Sequence, residues 1–187
     1  MSASQSSSPD KPGPVIVSAG RRVDAPDATT PRFPQQNVSG VRAKVEDFLQ
    51  QQKPSVIVSS GACGADLLLL QAAQRERIPR YVLLPSSPEE FRESSVTDRP
   101  GDWGTIYDDV LKDSQVEILE LPSGQEGYLE TNFRLLERGQ ALAAELGTSA
   151  TVLVIWNQET RGDDDVTAHF LREATQRNIP ISEISTL

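Results

Sequence analysis

Six short apolar runs punctuate the chain, and three of them are hydrophobic at successive positions rather than at alternate ones. Val15-Ile16-Val17 leads into Ser18-Ala19-Gly20. The run from Ser55 to Ser60 stops at Gly61, and Tyr81 to Leu84 stops at Pro85. Val116 to Leu119, Thr151 to Trp156 and Ile179 to Ile184 follow. A strand with one wet face alternates in polarity, whereas a strand covered on both faces does not. The second, third and fifth runs therefore suit the interior of a parallel sheet. Helical stripes fall between the runs. Val41, Val45, Phe48 and Leu49 are spaced i, i+4, i+7, i+8, and Trp103, Ile106, Val110 and Leu111 are spaced i, i+3, i+7, i+8. Asp66 to Arg75 is rich in Leu and Ala. Leu129, Phe133, Leu136, Ala143 and Leu146 mark a long helix that ends at Gly147. Val166, Phe170 and Ala174 mark a last one, closing near Asn178. Strand and helix in alternation predict an α/β fold: a doubly wound, mainly parallel sheet of five or six strands with helices on both faces, the sixth strand at an edge.

The 187 residues suit one domain. Residues 1–14 are Ser/Pro-rich and carry no apolar run, so they read as a flexible tail rather than a signal peptide or anchor, with 15–187 as a single domain. No stretch approaches the ~18 consecutive apolar residues of a membrane span, and the chain is expected to be cytoplasmic. It has 18 Lys and Arg against 27 Asp and Glu, a net charge of −9. That balance predicts no nucleic acid held by counterion release and no attachment to an anionic membrane. One cysteine and one histidine leave no intrachain disulfide and no Cys- or His-rich metal centre, so neither a metal nor a cofactor is expected.

The turn Gly61-Ala62-Cys63-Gly64-Ala65-Asp66 follows one predicted strand and opens one predicted helix. Backbone N–H groups at a helix start have no intrahelical partner, and the helix dipole favours an anion there. Small residues let a phosphate reach that backbone. The spacing is neither G-x-G-x-x-G nor a Walker A loop, and a tight turn that needs small residues for packing explains it equally well. Asp66 reads as a first-turn residue or a ligand contact. Cys63, lacking a nearby base, reads as a small side chain beneath a ligand. Gly20, Arg21 and Arg22 end the first strand, and Arg32 lies in the long polar, proline-rich connection from Asp24 to Pro34. Ligands of open α/β sheets bind outside the carboxyl ends of strands, so this loop and the glycine turn would meet there, with Ser60 beside them. Arginine offers phosphate two parallel hydrogen bonds; pairing with surface acids such as Asp24 is the competing role. In a 3-2-1-4-5 order, Glu130 and Asn132 would begin the long helix opposite the switch point, where Asn132 could read a base or ribose edge and Glu130 a ribose hydroxyl. Trp156 could stack on a base or fill the core, with Asn157 next to it. Asp163-Asp164-Asp165 reads as the acidic first turn of the last helix.

Several stretches together resemble the SLOG superfamily, the domains related to the DNA-processing protein DprA and the cytokinin-activating LOG enzymes, and most nearly its bacterial branch associated with TIR or tetratricopeptide-repeat signalling proteins. The resemblance is carried by Ser18 to Pro26, Pro31-Arg32-Phe33-Pro34, Ala62 to Asp66, Leu84-Pro85, Glu126-Gly127-Tyr128, Asn132 and the strand ending in Trp156. Arg21 departs from the pattern, standing where a small residue or a histidine is expected. The resemblance implies a Rossmann-like sheet and a nucleotide-derived, phosphate-bearing ligand such as ADP-ribose, NAD or a cyclic nucleotide. The ligand would be sensed without turnover, in a protein that can form homo-oligomers or meet a signalling partner. It also implies an alternative, hydrolysis or transfer at a nucleotide N-glycosidic bond; a third reading, with the glycine turn merely structural, is a Rossmann scaffold for protein partners. Pro100 to Asp108 resembles the P-G-G-x-G-T-x-x-E signature of LOG-type phosphoribohydrolases, but no strand precedes it and Asp108 is one methylene short of the glutamate. Asp66, Asp108 and Glu130 are the carboxylates an enzyme reading would need.

Overall fold

A computed structural model describes residues 11–187, so most of the tail expected over residues 1–14 lies outside the described residues. Pro12 and Gly13 are within them, and both accept a hydrogen bond from the Thr148 hydroxyl. Six strands form one sheet: β1 Val15–Gly20, β2 Val56–Ser59, β3 Arg80–Leu84, β4 Gln115–Ile118, β5 Ala150–Trp156 and β6 Ile181–Ser185. Their order is β4-β3-β2-β1-β5-β6, with every neighbouring pair parallel. The doubly wound α/β architecture is thus present with six strands. The helices are α1 Val38–Gln52, α2 Ala65–Arg75, α3 Pro88–Ser95, α4 Trp103–Lys112, α5 Gln125–Leu146 and α6 Val166–Gln176.

Burial on both sheet faces explains the unbroken apolar runs. Ile16, Ile57, Val82, Leu153 and Ile155 pack under α1 to α4. Their alternate neighbours Val15, Val17, Val58, Val152 and Val154 pack under α5 and α6. Helix α2 lies on the sheet between α1 and α4, which buries Leu67 to Leu70 completely and leaves only Gln71, Gln74 and Arg75 as a narrow polar stripe.

The strand order corrects one expectation. The fourth strand does not neighbour the first; it pairs with β3 and forms an edge, and β5 takes the place beside β1. The chain moves outward one strand at a time until β4. The 22-residue α5, roughly 33 Å long at 1.5 Å per residue, then crosses back over β3, β2 and β1. Glu130 and Asn132 lie within α5, which begins at Gln125, rather than at its start. The short helix α3 escapes the apolar-stripe argument because Phe91 is its one buried large hydrophobic residue. Its start was nonetheless written locally: the Ser87 hydroxyl accepts from Glu90 N–H at 3.2 Å, with Pro88 opening the helix.

Candidate functional site

A cavity of about 400 Å³ opens at the carboxyl ends of the central strands. Gly20 closes it from β1, Ser60 from β2 and Pro85 from β3; Tyr128, Thr131 and Asn132 of α5 form another wall. The loop after β1 forms a further side. Asp24 ties that loop into a ring: its carboxylate accepts from Arg32 N–H at 3.0 Å and Phe33 N–H at 3.1 Å, and its own N–H donates to Phe33 O at 2.9 Å. Val23 and Phe33, both buried, anchor the two ends of the ring.

Several amides of the glycine turn are engaged within the protein. Cys63 N–H donates to Ser95 O at 3.0 Å, Ala65 N–H to Arg21 O at 3.1 Å and Leu67 N–H to Ala62 O at 3.2 Å. Ala62 N–H and the Ser60 hydroxyl both donate to Asp66 Oδ2, at 3.2 and 2.7 Å. The carboxylate of Asp66 thus occupies the position for which the pattern suggested a phosphate. Burial pushes this carboxyl up to about 6, against the hydrogen bonds from Ser60 and Ala62 that favour its charge. Ser60, Ala62 and Asp66 line the cavity, whereas Gly61, Cys63, Gly64 and Ala65 sit behind them.

Arg21 lines the cavity too, but its guanidinium is engaged within the protein. Its side chain is 5% exposed, and its Nη1 and Nη2 grip the two oxygens of Asp165 at 2.6 and 2.7 Å. Nε donates to Asn157 Oδ1 at 3.0 Å, Nη2 also donates to Glu159 O at 2.6 Å, and the guanidinium lies 5.6 Å from the Trp156 ring centroid. Arg21 therefore locks the end of β1 to the loop after β5. Asp165 is not in the first turn of α6; it caps the helix, accepting from Thr167 N–H and Ala168 N–H.

The remaining arginines form a cationic rim. Arg22, Arg32, Arg99 and Arg161 all line the cavity. Arg22 and Arg99 share Asp98, at 2.9 and 2.6 Å, and the Nε–H of Arg99 is buried without a partner. Arg161 reaches Asp165, already held by Arg21, at 3.8 Å. The Arg32 guanidinium has no ion pair among the described residues. Four guanidinium groups, counting Arg21, thus share the two carboxylates of Asp98 and Asp165, and Arg32 is a fifth beside them. Burial lowers the pKa of Arg161, and the proximity of Arg21, Arg32 and Arg22 lowers it further against the pull of Asp165.

Other sequence candidates lie elsewhere. Asp108 pairs with Arg92 on the far side of α4, and Glu130 pairs with Arg134 along α5; neither lines the cavity. Trp156 takes the core role, its indole N–H donating to Glu183 at 2.6 Å. Asn157 serves Arg21. Asn132 does line the cavity, with its amide donating to Val166 O at 2.9 Å. Cys63 packs under the helices of one face, whereas the ring of His169 meets Phe133 on the other. Burial pushes the Cys63 thiol up to about 12. Native protein is therefore expected to resist iodoacetamide at pH 8 and to be alkylated only in denaturant, as mass spectrometry would show; rapid native labelling would contradict this burial. Arg99, Arg161 and Ser95 carry no periodic signal in the sequence, because each sits in a loop or at a short helix end. Asp165 was hidden in a run of three acids.

The fold and site together define a doubly wound, Rossmann-like domain with an arginine-rimmed cavity at its strand ends. Among solved structures, the chain is similar to DNA processing protein A from Helicobacter pylori, with 12% identity, a TM-score of 0.39, and coverage of 91% of this chain and 75% of that one. It is similar to DNA processing protein A from Streptococcus pneumoniae, with 14% identity, a TM-score of 0.32, and coverage of 92% and 59%. It is also similar to the Moco carrier protein of Chlamydomonas reinhardtii, with 10% identity, a TM-score of 0.39, and coverage of 93% and 91%. These likenesses concern fold alone. The sequence matches no family model and no curated protein.

The exclusion of nucleic acid is corrected. The Helicobacter protein, to which the chain is similar, is described with a single-stranded DNA binding mode. The structure also shows why net charge misled: −9 describes the whole surface, whereas the rim of the cavity is locally rich in arginine. Among the described residues, no helix is long and apolar enough to cross a membrane.

Proposed function

We propose that the chain binds a nucleotide-derived, phosphate-bearing small molecule in this cavity and acts as a sensor within a signalling system. One observation carries the reading: the rim of Arg22, Arg32, Arg99 and Arg161 gathered at strand ends on a chain of net charge −9. Clustering like charges costs energy that a bound anion offsets. Arg32, without an acidic partner among the described residues, is the freest donor for it. The phosphate in this reading meets side chains rather than the glycine turn, where the amides of Ala62, Cys63 and Ala65 are already engaged.

The test is a thermal-shift and calorimetric panel of inorganic phosphate, AMP, ADP-ribose, NAD, cyclic nucleotides and a short single-stranded oligonucleotide. AMP or ADP-ribose is expected to stabilise the protein. Arg32→Ala is expected to weaken that binding by about 1.5–3 kcal/mol, the range for a hydrogen bond to a charged group. Wild-type affinity in the variant, or silence from every phosphate compound, would remove the proposal. A second reading, turnover at an N-glycosidic bond, is favoured by Asp66 alone: a cavity-lining carboxyl at about 6 suits general acid–base work. Free base or sugar phosphate detected by chromatography after incubation would select it.

A further inference from the structure

The side-chain amide of Asn132 is oriented by what surrounds it. It reaches from α5 to the start of α6, where Nδ2 donates to the Val166 carbonyl at 2.9 Å and meets His169 Nδ1 at 3.3 Å. A carbonyl oxygen only accepts, so the NH2 end must face it. With the amide turned over, Oδ1 would meet Val166 O, acceptor against acceptor. His169 agrees with this orientation as the tautomer protonated on Nε2, the nitrogen that lies 3.8 Å from Glu173 Oε1. Both amide protons are therefore spent inside the protein. Oδ1 accepts no hydrogen bond among the described residues, and it is not one of the unpartnered side-chain atoms sealed from solvent. Asn132 is 3% exposed and lines the cavity, so this open acceptor belongs to the cavity wall. Thr131 beside it also lines the cavity, with its hydroxyl proton given to Gly127 O at 2.7 Å. This stretch of α5 thus offers lone pairs, whereas the arginine rim offers only N–H groups.

We propose that Asn132 selects the neutral part of the ligand, its Oδ1 accepting a hydrogen bond from a base amine or a sugar hydroxyl. The inference rests on the anion-binding reading given above and adds a second contact point. The arginines respond to the phosphate. Asn132 responds to what the phosphate carries, favouring a group with a proton to give over a bare carbonyl in the same place.

Calorimetry on the full chain tests this. It would compare AMP with 2′,3′-dideoxy-AMP, which lacks the sugar hydroxyls, with purine riboside 5′-monophosphate, which lacks the amine, and with inorganic phosphate. In the wild type, one of the two depleted nucleotides is expected to bind about fivefold more weakly than AMP, the loss expected for one hydrogen bond between neutral groups, and which one identifies the donor. In Asn132→Ala, AMP is expected to fall to the affinity of that depleted nucleotide, so that the preference vanishes, while inorganic phosphate binds as it does to the wild type. Should Asn132→Ala fold poorly by circular dichroism, Asn132→Ser is read in the same way: its hydroxyl can bond to the backbone of its own helix but is too short to replace the amide oxygen. If AMP binds and neither depletion matters, or if the preference survives in the variant, the assignment is overturned while the anion site stands. If neither AMP nor phosphate binds, the underlying reading falls and this one falls with it.

Discussion

Replacing Asp165 with alanine is expected to lower the unfolding free energy by about 3–5 kcal/mol, because it strands the buried Arg21 charge without its partner. Asp165 is fully buried and Arg21 nearly so, and the pair joins positions 144 residues apart in the chain. The same carboxylate accepts from Arg161 N–H at 2.8 Å and caps α6. The loss thus reaches the loop after β5, the end of β1 and the start of α6 at once. Asp165→Asn keeps the volume and one capping oxygen, so it should recover part of the helix cap but not the charge pair. Urea denaturation of the three proteins measures the difference. A loss within about 0.5 kcal/mol, typical of surface substitutions, would show that the lock contributes little.

The pH dependence of that effect has a definite sign. Burial alone would raise the Asp165 pKa, but hydrogen bonds from Arg21 and from the Arg161 and Ala168 amides outweigh it and hold the group at about 2, below its ordinary 3.8. A depressed carboxylate stabilises the fold above its unfolded pKa and loses that contribution as pH falls through the folded value. The gap between wild type and Asp165→Ala should therefore be full at neutral pH and narrow as pH approaches 2.

Gly64→Ala is expected to destabilise by about 3 kcal/mol, combining a backbone penalty with an overpacking one. Gly64 holds φ +91°, and a Cβ there would lie 2.7 Å from Val23 N and 2.8 Å from Arg21 O. Both are backbone atoms, and Arg21 O is the acceptor for Ala65 N–H at the start of α2. Gly124 supplies the control. It has the same φ of +91° but nothing within 4 Å of its absent Cβ, so Gly124→Ala should cost only about 1 kcal/mol, the backbone part. Equal melting temperatures for the two variants would mean that the approach of α2 to the loop after β1 is unimportant.

The sheet was legible because burial on both faces writes itself into consecutive residues, as in Val56-Ile57-Val58 and Val152 to Ile155. Strand order was less so: nothing local in Val116 to Leu119 says whether the next helix turns back at once or, like α5, crosses the sheet. The site was read in its parts but not in its connections. Small residues from Gly61 to Ala65 suited either a phosphate or tight packing; what lies against Gly64 is the loop after β1, and the anion at the turn is Asp66 itself. Arg21 and Asp165 carry no mutual signal in a single sequence, since their meeting depends on β5 lying beside β1. Arg22 and Arg32, by contrast, were placed by the length and polarity of one loop, and both line the cavity.

The indole of Trp156 is held between two charges, with the Arg21 guanidinium over its ring and the Glu183 carboxylate on its N–H. Its excited state is polarised by both, so its emission wavelength is tied to the integrity of the arginine lock. With Trp103, the other of the two tryptophans in the chain, replaced by phenylalanine, the molecule becomes a self-reporting fluorophore. Loosening between β1 and the loop after β5 could then be followed optically, without a dye, a label or a ligand.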